Sequence, residues 1–178
     1  TDGVVVWQDQ IFAGNREGFD FNSAPVIVGN RLVATNKAGV YAWDRSTRRR
    51  AWNRRITFPL PSGEETATPT AGPEGGPIAT DGKRIYVLSN NGQTGECLAA
   101  ALRPSDGRVL WRSPFAAPSF AAPALAGDRL YVAGSDGRLR ALETKYGLVV
   151  ADAPLGEPSA AAPVLAAGHL VVGTGAAP

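Results

Sequence analysis

The sequence predicts an all-β protein assembled from repeats of one four-stranded sheet. A short pattern recurs four times in the 178 residues: an Ala-Pro or Gly-Pro step, a few small residues, a glycine turn and an apolar strand. The prolines of these steps, at positions 25, 77, 123 and 163, are 52, 46 and 40 residues apart. The chain contains 21 glycines and 14 prolines and shows no apolar period of 3.6 residues, which argues against helices. A repeat spacing of 40 to 52 residues is typical of arrays whose units bury their faces against each other.

Each repeat contains four predicted strands, here named A to D in chain order. Strand A follows the proline, and glycine with Asn, Asp or Lys supplies the A–B turn. Strand B is β-branched and aromatic, as in 130–132, and strand C alternates like a half-buried strand, as in 139–142. The pair Asp106-Gly107 turns the chain into strand D, which ends at Trp111.

The repeat spacing matches the roughly 40–50 residues of four-stranded propeller blades. We therefore predict a single β-propeller segment over 1–178, built of four-stranded antiparallel blades. Its predicted parts are a strand D of a preceding blade at 1–7, blades at 24–56, 76–115 and 122–156, and a partial blade at 162–178.

One repeat also resembles a known family. Residues 133–143, with the sequence Ala-Gly-Ser-Asp-Gly-Arg-Leu-Arg-Ala-Leu-Glu, resemble the repeat of pyrroloquinoline-quinone (PQQ)-type β-propellers, and the similarity covers nearly the whole chain. In that family the tryptophan ending strand D docks on the neighbouring blade, a role that Trp7, Trp52 and Trp111 fit. Ala151 stands where the third repeat would carry tryptophan, so we expect a weaker junction there, because a buried indole contributes a large apolar area.

The order of the strands bears on ring closure. The sequence starts inside a strand D and stops after a strand B, so we expect about four repeats belonging to a larger ring, of about seven or eight blades. A self-contained ring of about four blades is the alternative that the sequence leaves open.

Composition excludes several classes of function. The net charge of +2, from 18 basic and 16 acidic residues, provides no overall field for nucleic acid, and no nucleic-acid partner is expected. The lone Cys97 excludes an internal disulfide framework, and no apolar run approaches the roughly 20 residues of a membrane span. The resemblance implies a periplasmic or extracellular location, with membrane association through a partner or a lipid anchor outside these residues.

Long connections are concentrated on one face of the predicted ring. The D–A loops at 8–23 and 57–75 and the B–C loop at 90–96 all leave from this loop face, whereas the A–B turns are minimal. Rigid scaffolds usually bind through such loops, and aromatic and Arg side chains dominate contact energies. The candidate interaction residues are Phe12, Arg16, Phe19, Phe21, Phe58 and Leu60. Packing of Phe19 and Phe21 over the blade core is the alternative.

Other conspicuous side chains have structural interpretations. A basic run near a C–D turn favours a solvated cluster that protects a strand edge, with an anionic or phosphate-bearing partner as the alternative. Its members are Arg45, Arg48, Arg49, Arg50, Arg54 and Arg55. His169 occupies the position that Arg31, Arg84 and Arg129 hold in other repeats, and Cys97 is interpreted as a small buried hydrophobe.

Two classes of function remain. The first is a non-catalytic scaffold with a protein partner or larger complex, similar to the propeller lipoproteins of outer-membrane assembly. The second is a fragment of a PQQ-dependent (quinoprotein) alcohol dehydrogenase, for which the resemblance implies quinone, calcium and a carboxylate base. Those enzymes usually add a vicinal Cys pair and calcium ligands, whereas this chain has one Cys and no recognisable carboxylate pair. We therefore favour the scaffold and expect no catalytic residue, cofactor or metal site.

Overall fold

The structure is a computed structural model that describes residues 5–9, 23–36, 39–58, 77–91 and 94–175. These residues form strands and turns, with no helix among them. No helix long and apolar enough to span a membrane is found in this part of the chain.

Fourteen strands in these ranges form four sheets. The first sheet contains β1 (Val26–Val28), β2 (Arg31–Asn36), β3 (Gly39–Asp44) and β4 (Arg50–Arg54). The second contains β5 (Ile78–Thr80), β6 (Ile85–Asn90), β7 (Cys97–Leu102) and β8 (Val109–Phe115). The third contains β9 (Ala124–Ala126), β10 (Arg129–Ala133), β11 (Arg138–Glu143) and β12 (Val149–Pro154), and the fourth is the hairpin of β13 (Val164–Ala166) and β14 (His169–Val171).

Each sheet is an antiparallel meander whose strand order follows the chain. The A strands β1, β5, β9 and β13 contact one another in series, so they lie on the inner side of the array and the D strands on the outer side. This arrangement confirms the predicted fold class, an all-β propeller with four-stranded antiparallel blades.

The first three sheets share an irregularity at the same position between strands C and D. The residues that pair across these strands are Ala42 with Trp52, Ala101 with Trp111, and Ala141 with Ala151. In all three sheets the register shifts directly after this pair. Positions can therefore be compared between sheets by counting from Trp52, Trp111 and Ala151.

The core lies between the sheets. One buried cluster joins the first and second sheets and a second cluster joins the second and third. All six residues of β7 are fully buried, Cys97 included as expected, because its small alanines let both neighbouring sheets approach closely. In the last two sheets, β12 and β13 are exposed along their length.

Candidate functional site

The predicted interaction residues fall into two groups. Phe12, Arg16, Phe19, Phe21 and Leu60 lie outside the described residues. Phe58 is only 6% exposed and packs in the core between the first two sheets, beside Ile56 and Ile78. Its ring does not have the exposed position that was expected of a partner contact.

The described part of the loop face is held by buried hydrogen bonds. The side chain of Asn90 donates to the Ser119 carbonyl oxygen (2.8 Å) and accepts from the Ser119 backbone amide (3.0 Å). The Ser119 hydroxyl donates to the Ala133 carbonyl oxygen at 2.7 Å. A buried amide with both ends bonded fixes its surroundings. These contacts therefore hold the B–C loop of the second sheet against the D–A loop of the third.

The same device recurs in another repeat. Ser159, which corresponds to Ser119, donates from its hydroxyl to the Gly173 carbonyl oxygen at 2.7 Å. Each serine ties a D–A loop to the end of the following strand B, so these loops are fixed parts of the scaffold.

Phe120 stands out on this fixed loop. Its neighbours Ser119 and Ala121 are buried, whereas the Phe120 side chain is 49% exposed. Phe120 was not among the residues predicted from the sequence, because it lies in a shorter D–A connection than those at 8–23 and 57–75. The signal available was a single aromatic residue among the small ones of 116–123.

The contact between the first and second sheets is called the first junction, and the contact between the second and third sheets is called the second junction. Arg140 lies at the second junction, between β8 and β11. Its guanidinium pairs with Asp136, with an Nη1–Oδ1 distance of 3.1 Å, and its Cζ lies 5.1 Å from the centre of the Phe115 ring. The hydrogen bond to Arg140 lowers the pKa of Asp136. A buried guanidinium requires such a carboxylate, so this pair holds the B–C turn of the third sheet.

All aspartates of the described residues are paired with arginines. The pairs are Asp9–Arg50, Asp44–Arg31, Asp81–Arg84, Asp106–Arg103, Asp128–Arg129, Asp136–Arg140 and Asp152–Arg138. Hydrogen bonds lower the pKa of Asp44 to about 2, chiefly from the Thr47 amide and then from Arg31. Arg103 does the same for Asp106, whose pKa is also about 2. A general base works best with a pKa near the operating pH, and these two carboxylates are far from it.

The lone cysteine and the lone histidine of the sequence lie in different sheets. Burial raises the pKa of the Cys97 thiol to about 12, which disfavours the reactive thiolate. His169 is exposed in β14, with Nδ1 3.0 Å from the Ala167 carbonyl oxygen. Within the described ranges, no three His, Cys, Asp or Glu side chains are grouped as a metal ion would require.

Trp52 and Trp111 contact the C–D turn of the following sheet in the same way. The indole of Trp52 donates to the Pro104 carbonyl oxygen (2.9 Å), and that of Trp111 to the Thr144 carbonyl oxygen (2.9 Å). The Trp52 ring lies on Gly107, where a Cβ atom would be 2.5 Å from Cε3 of the ring, and the Trp111 ring lies on the equivalent Gly147. Both glycines also have φ near +70°. From the sequence, Gly107 was assigned only to the turn, and its contact with Trp52 of the preceding sheet was not predicted.

The flanking positions differ from this pattern. The first sheet has Arg48, at φ 59°, in the position of Gly107 and Gly147. The Trp7 ring packs against Trp43 instead, with 6.4 Å between ring centres. Ala151, on the exposed β12, is itself exposed.

Comparisons with known proteins agree with this architecture. A PQQ-repeat family model described as outer membrane protein assembly factor BamB matches residues 1–61 and 57–177. The crystal structure of BamB from Moraxella catarrhalis is similar with a TM-score of 0.62 and 20% identity, over 86% of this chain and 47% of that one. This chain therefore spans about half the length of that protein. No curated protein sequence matches it significantly.

Two further structures illustrate how widely the fold is used. The computationally designed Ika4 protein has a TM-score of 0.66 at 12% identity, over 94% of this chain and 93% of its own. Quinohemoprotein alcohol dehydrogenase from Comamonas testosteroni has a TM-score of 0.57 at 16% identity, over 77% of this chain and 21% of its own. At these identities the likenesses show the fold alone. The family model, in contrast, matches almost every residue, and the chain belongs to the PQQ-like propeller family of outer membrane protein assembly factor BamB.

Proposed function

We propose that this chain is a non-catalytic propeller scaffold that binds a protein partner outside the cytoplasm through the loop face. The observation that carries the proposal is the pairing of every described aspartate with an arginine. Oxidation of an alcohol by a quinone needs a carboxylate that can accept the hydroxyl proton. Carboxylates engaged in turns and ion pairs, with the pKa of Asp44 and Asp106 at about 2, are suited to structure instead.

Phe120 supports the choice of face. An aromatic side chain held outward by a rigid loop loses little conformational freedom on binding, and such residues act as anchors in protein interfaces. The family suggests the class of partner, a component of an outer-membrane protein assembly complex.

Photo-crosslinking from two matched positions tests the face. Phe120 on the loop face and Tyr146 on a C–D turn are both exposed aromatics, at 49% and 56%. Each is replaced separately by p-benzoylphenylalanine in the native host, and the captured protein is identified by mass spectrometry. We expect an outer-membrane assembly component to be captured from position 120 and not from 146. Capture from 146 alone would show that the opposite face is the binding surface.

The quinoprotein alternative shares only the fold with the Comamonas enzyme and has its own test. Purified chain is incubated with PQQ and calcium and assayed for alcohol-dependent dye reduction. We expect no activity above that of the mixture without protein. Activity that disappears on chelation of calcium would overturn the scaffold proposal.

A further inference from the structure

A basic cleft of about 450 Å³ lies between the outer edges of the first and second sheets. It is formed by the end of β4 and the residues after it on one side, and by the start of β8 on the other. The residues that line it are Arg54, Arg55, Thr57, Arg108, Val109 and Arg112. None of these six described residues is acidic. Four of them are arginines, two from each sheet, so four guanidinium groups line one cleft. Its volume is within the range of small-molecule sites.

Arg54 is positioned by the neighbouring sheet. Its Nε donates to the Gly107 carbonyl oxygen at 3.1 Å and its Nη2 to the Asp106 carbonyl oxygen at 3.4 Å. Guanidinium has five N–H donors in a rigid fork, so these two bonds fix its orientation and leave further donors for a ligand. The Trp52 junction therefore also sets the geometry of the cleft.

Thr57 supplies a second, independent observation. The residue is only 8% exposed, and its buried Oγ1 has no hydrogen-bond partner among the residues that the structure describes. Buried hydroxyl groups are nearly always hydrogen-bonded, and an exception calls for an explanation. Because Thr57 lines the cleft, an oxygen atom of a bound ligand would satisfy this hydroxyl.

The repeat shows that the fold does not require these arginines. Counted from the paired tryptophans, the corresponding residues at the second junction are Ser113, Pro114, Ala116, Leu148 and Asp152. The second junction has the same Trp-on-Gly contact without any of these basic side chains. The charge of the cleft is thus a local departure from the repeat.

The two junctions also differ within strand C. At the second junction, Arg140 extends between the sheets and is paired with Asp136. The corresponding residue of the second sheet is Ala100, which lies opposite Arg112 in the register. The first junction therefore has no arginine in the position of Arg140.

We propose that this cleft binds a phosphate group, carried by a soluble phosphate ester or by a lipid headgroup. Arginine forks match phosphate oxygens in a bidentate manner, and a phosphate monoester carries close to two negative charges near neutral pH. Several guanidinium groups can therefore bond one phosphate, and its remaining oxygen can accept from Thr57. A carboxylate has one charge and two oxygens, which suits an arrangement of this many cations less well.

Calorimetric titration with phenyl phosphate and inorganic phosphate tests the proposal. The double variant Arg54→Gln/Arg112→Gln removes two cleft charges, and Arg45→Gln/Arg49→Gln removes two exposed charges elsewhere. We expect the cleft variant to weaken phosphate affinity by at least about tenfold, which is the effect of about 1.4 kcal/mol. The control variant should bind within about twofold of the parent. Equal losses in both variants, or no binding by the parent, would overturn the proposal.

Thr57→Val separates binding from folding. This change keeps the shape and removes a hydroxyl that has no partner, so the melting temperature should not fall while phosphate binding weakens severalfold. Unchanged phosphate affinity in a folded Thr57→Val protein would contradict the role given to this hydroxyl. Glutarate is the matched carboxylate ligand. If glutarate binds as tightly as phenyl phosphate does, the assignment to phosphate is overturned.

Co-sedimentation with vesicles identifies the source of the phosphate. The vesicles are phosphatidylcholine with or without phosphatidic acid, whose headgroup is a phosphate monoester. Binding that requires both phosphatidic acid and the cleft arginines assigns a lipid headgroup. Binding of phenyl phosphate without vesicle binding assigns a soluble ester, and failure of both probes refutes the site.

Discussion

Removal of the Trp111 indole should open the second junction and destabilise the whole array. The side chain is 8% exposed and its Nε1 donates to the Thr144 carbonyl oxygen. Truncation of a buried tryptophan to alanine costs about 3–5 kcal/mol, a figure that includes the cavity left behind. For a domain of this size about 1 kcal/mol shifts the melting temperature by about 2–4 °C, so Trp111→Ala should lower it by about 6–20 °C.

The contact with Gly147 allows the mechanism to be tested through coupling. A Cβ atom at Gly147 would lie closer than 3.0 Å to the Trp111 ring, and the residue has φ +72°. Gly127 is a matched control, because its φ is +57° and nothing lies within 4 Å of its would-be Cβ. Both Gly→Ala variants pay the backbone cost of about 1–2 kcal/mol, but only Gly147→Ala adds a clash with the indole.

A double-mutant cycle by urea denaturation, followed by circular dichroism, measures this coupling. In the Trp111→Ala background, Gly147→Ala should cost no more than Gly127→Ala, because the clashing ring is gone. We expect a coupling of at least about 1 kcal/mol between Trp111 and Gly147 and none between Trp111 and Gly127. Two results would refute the docking role of Trp111. One is strict additivity of the Trp111 and Gly147 variants, and the other is a melting temperature of Trp111→Ala within about 2 °C of the parent.

Three further measurements follow from pKa shifts. Arg140 lowers the pKa of Asp136 below its unfolded value of about 3.9, so the stability gained is present above that pH and is lost on acidification. Asp136→Asn should therefore lower the free energy of unfolding near neutral pH and flatten its fall in acid; an unchanged acid slope would contradict this. The thiol of Cys97, with a pKa of about 12, should react with a disulfide reagent only after unfolding, and prompt labelling of the native protein would show that it is accessible. Burial and then the hydrogen bond to Asp81 raise the pKa of Tyr86 to about 12, so Tyr86→Phe should remove one transition from the alkaline absorbance titration, and a titration curve unchanged near that pH would disprove the shift.

Local sequence signals were sufficient for the sheets. Glycine turns, Asp-Gly steps and β-branched strands are all encoded within a few neighbouring residues, and they predicted all-β antiparallel blades. Contacts between repeats were beyond such signals. Trp52 meets Gly107 from a different sheet, far along the chain, so the glycine was noticed only as a turn residue.

The burial of residues 56–58, which follow β4, was also not predicted from the sequence. The sequence placed Phe58 in the D–A loop at 57–75 as a candidate partner contact, but Ile56, Thr57 and Phe58 are all buried. The chain continues inward past β4 because Ile56 and Phe58 join the core cluster shared with the second sheet. No alternation extends across these residues to signal this, so only the packing of two sheets determines it.

The basic cleft was hidden for the same reason. Arg54 and Arg55 were interpreted as members of a basic run near one turn, and Arg108 and Arg112 lie more than fifty residues later in the chain. Only the approach of β4 to β8 brings the four together. A charge pattern along the chain describes one strand, whereas a cleft between blades takes its residues from two.

The two junctions form an internal comparison that separates stability from binding. Both have an indole on a glycine and an indole hydrogen bond to a backbone carbonyl, so the fold's requirement is met identically in each. At the second junction the buried Arg140 is neutralised by Asp136, as burial of a charge demands. At the first, Arg54, Arg55, Arg108 and Arg112 line a cleft of about 450 Å³. Arg54 also bonds to the backbone across the first junction. The second junction forms the same indole contact with other residues in the places of the four arginines, so we attribute their convergence at the first junction to the proposed binding.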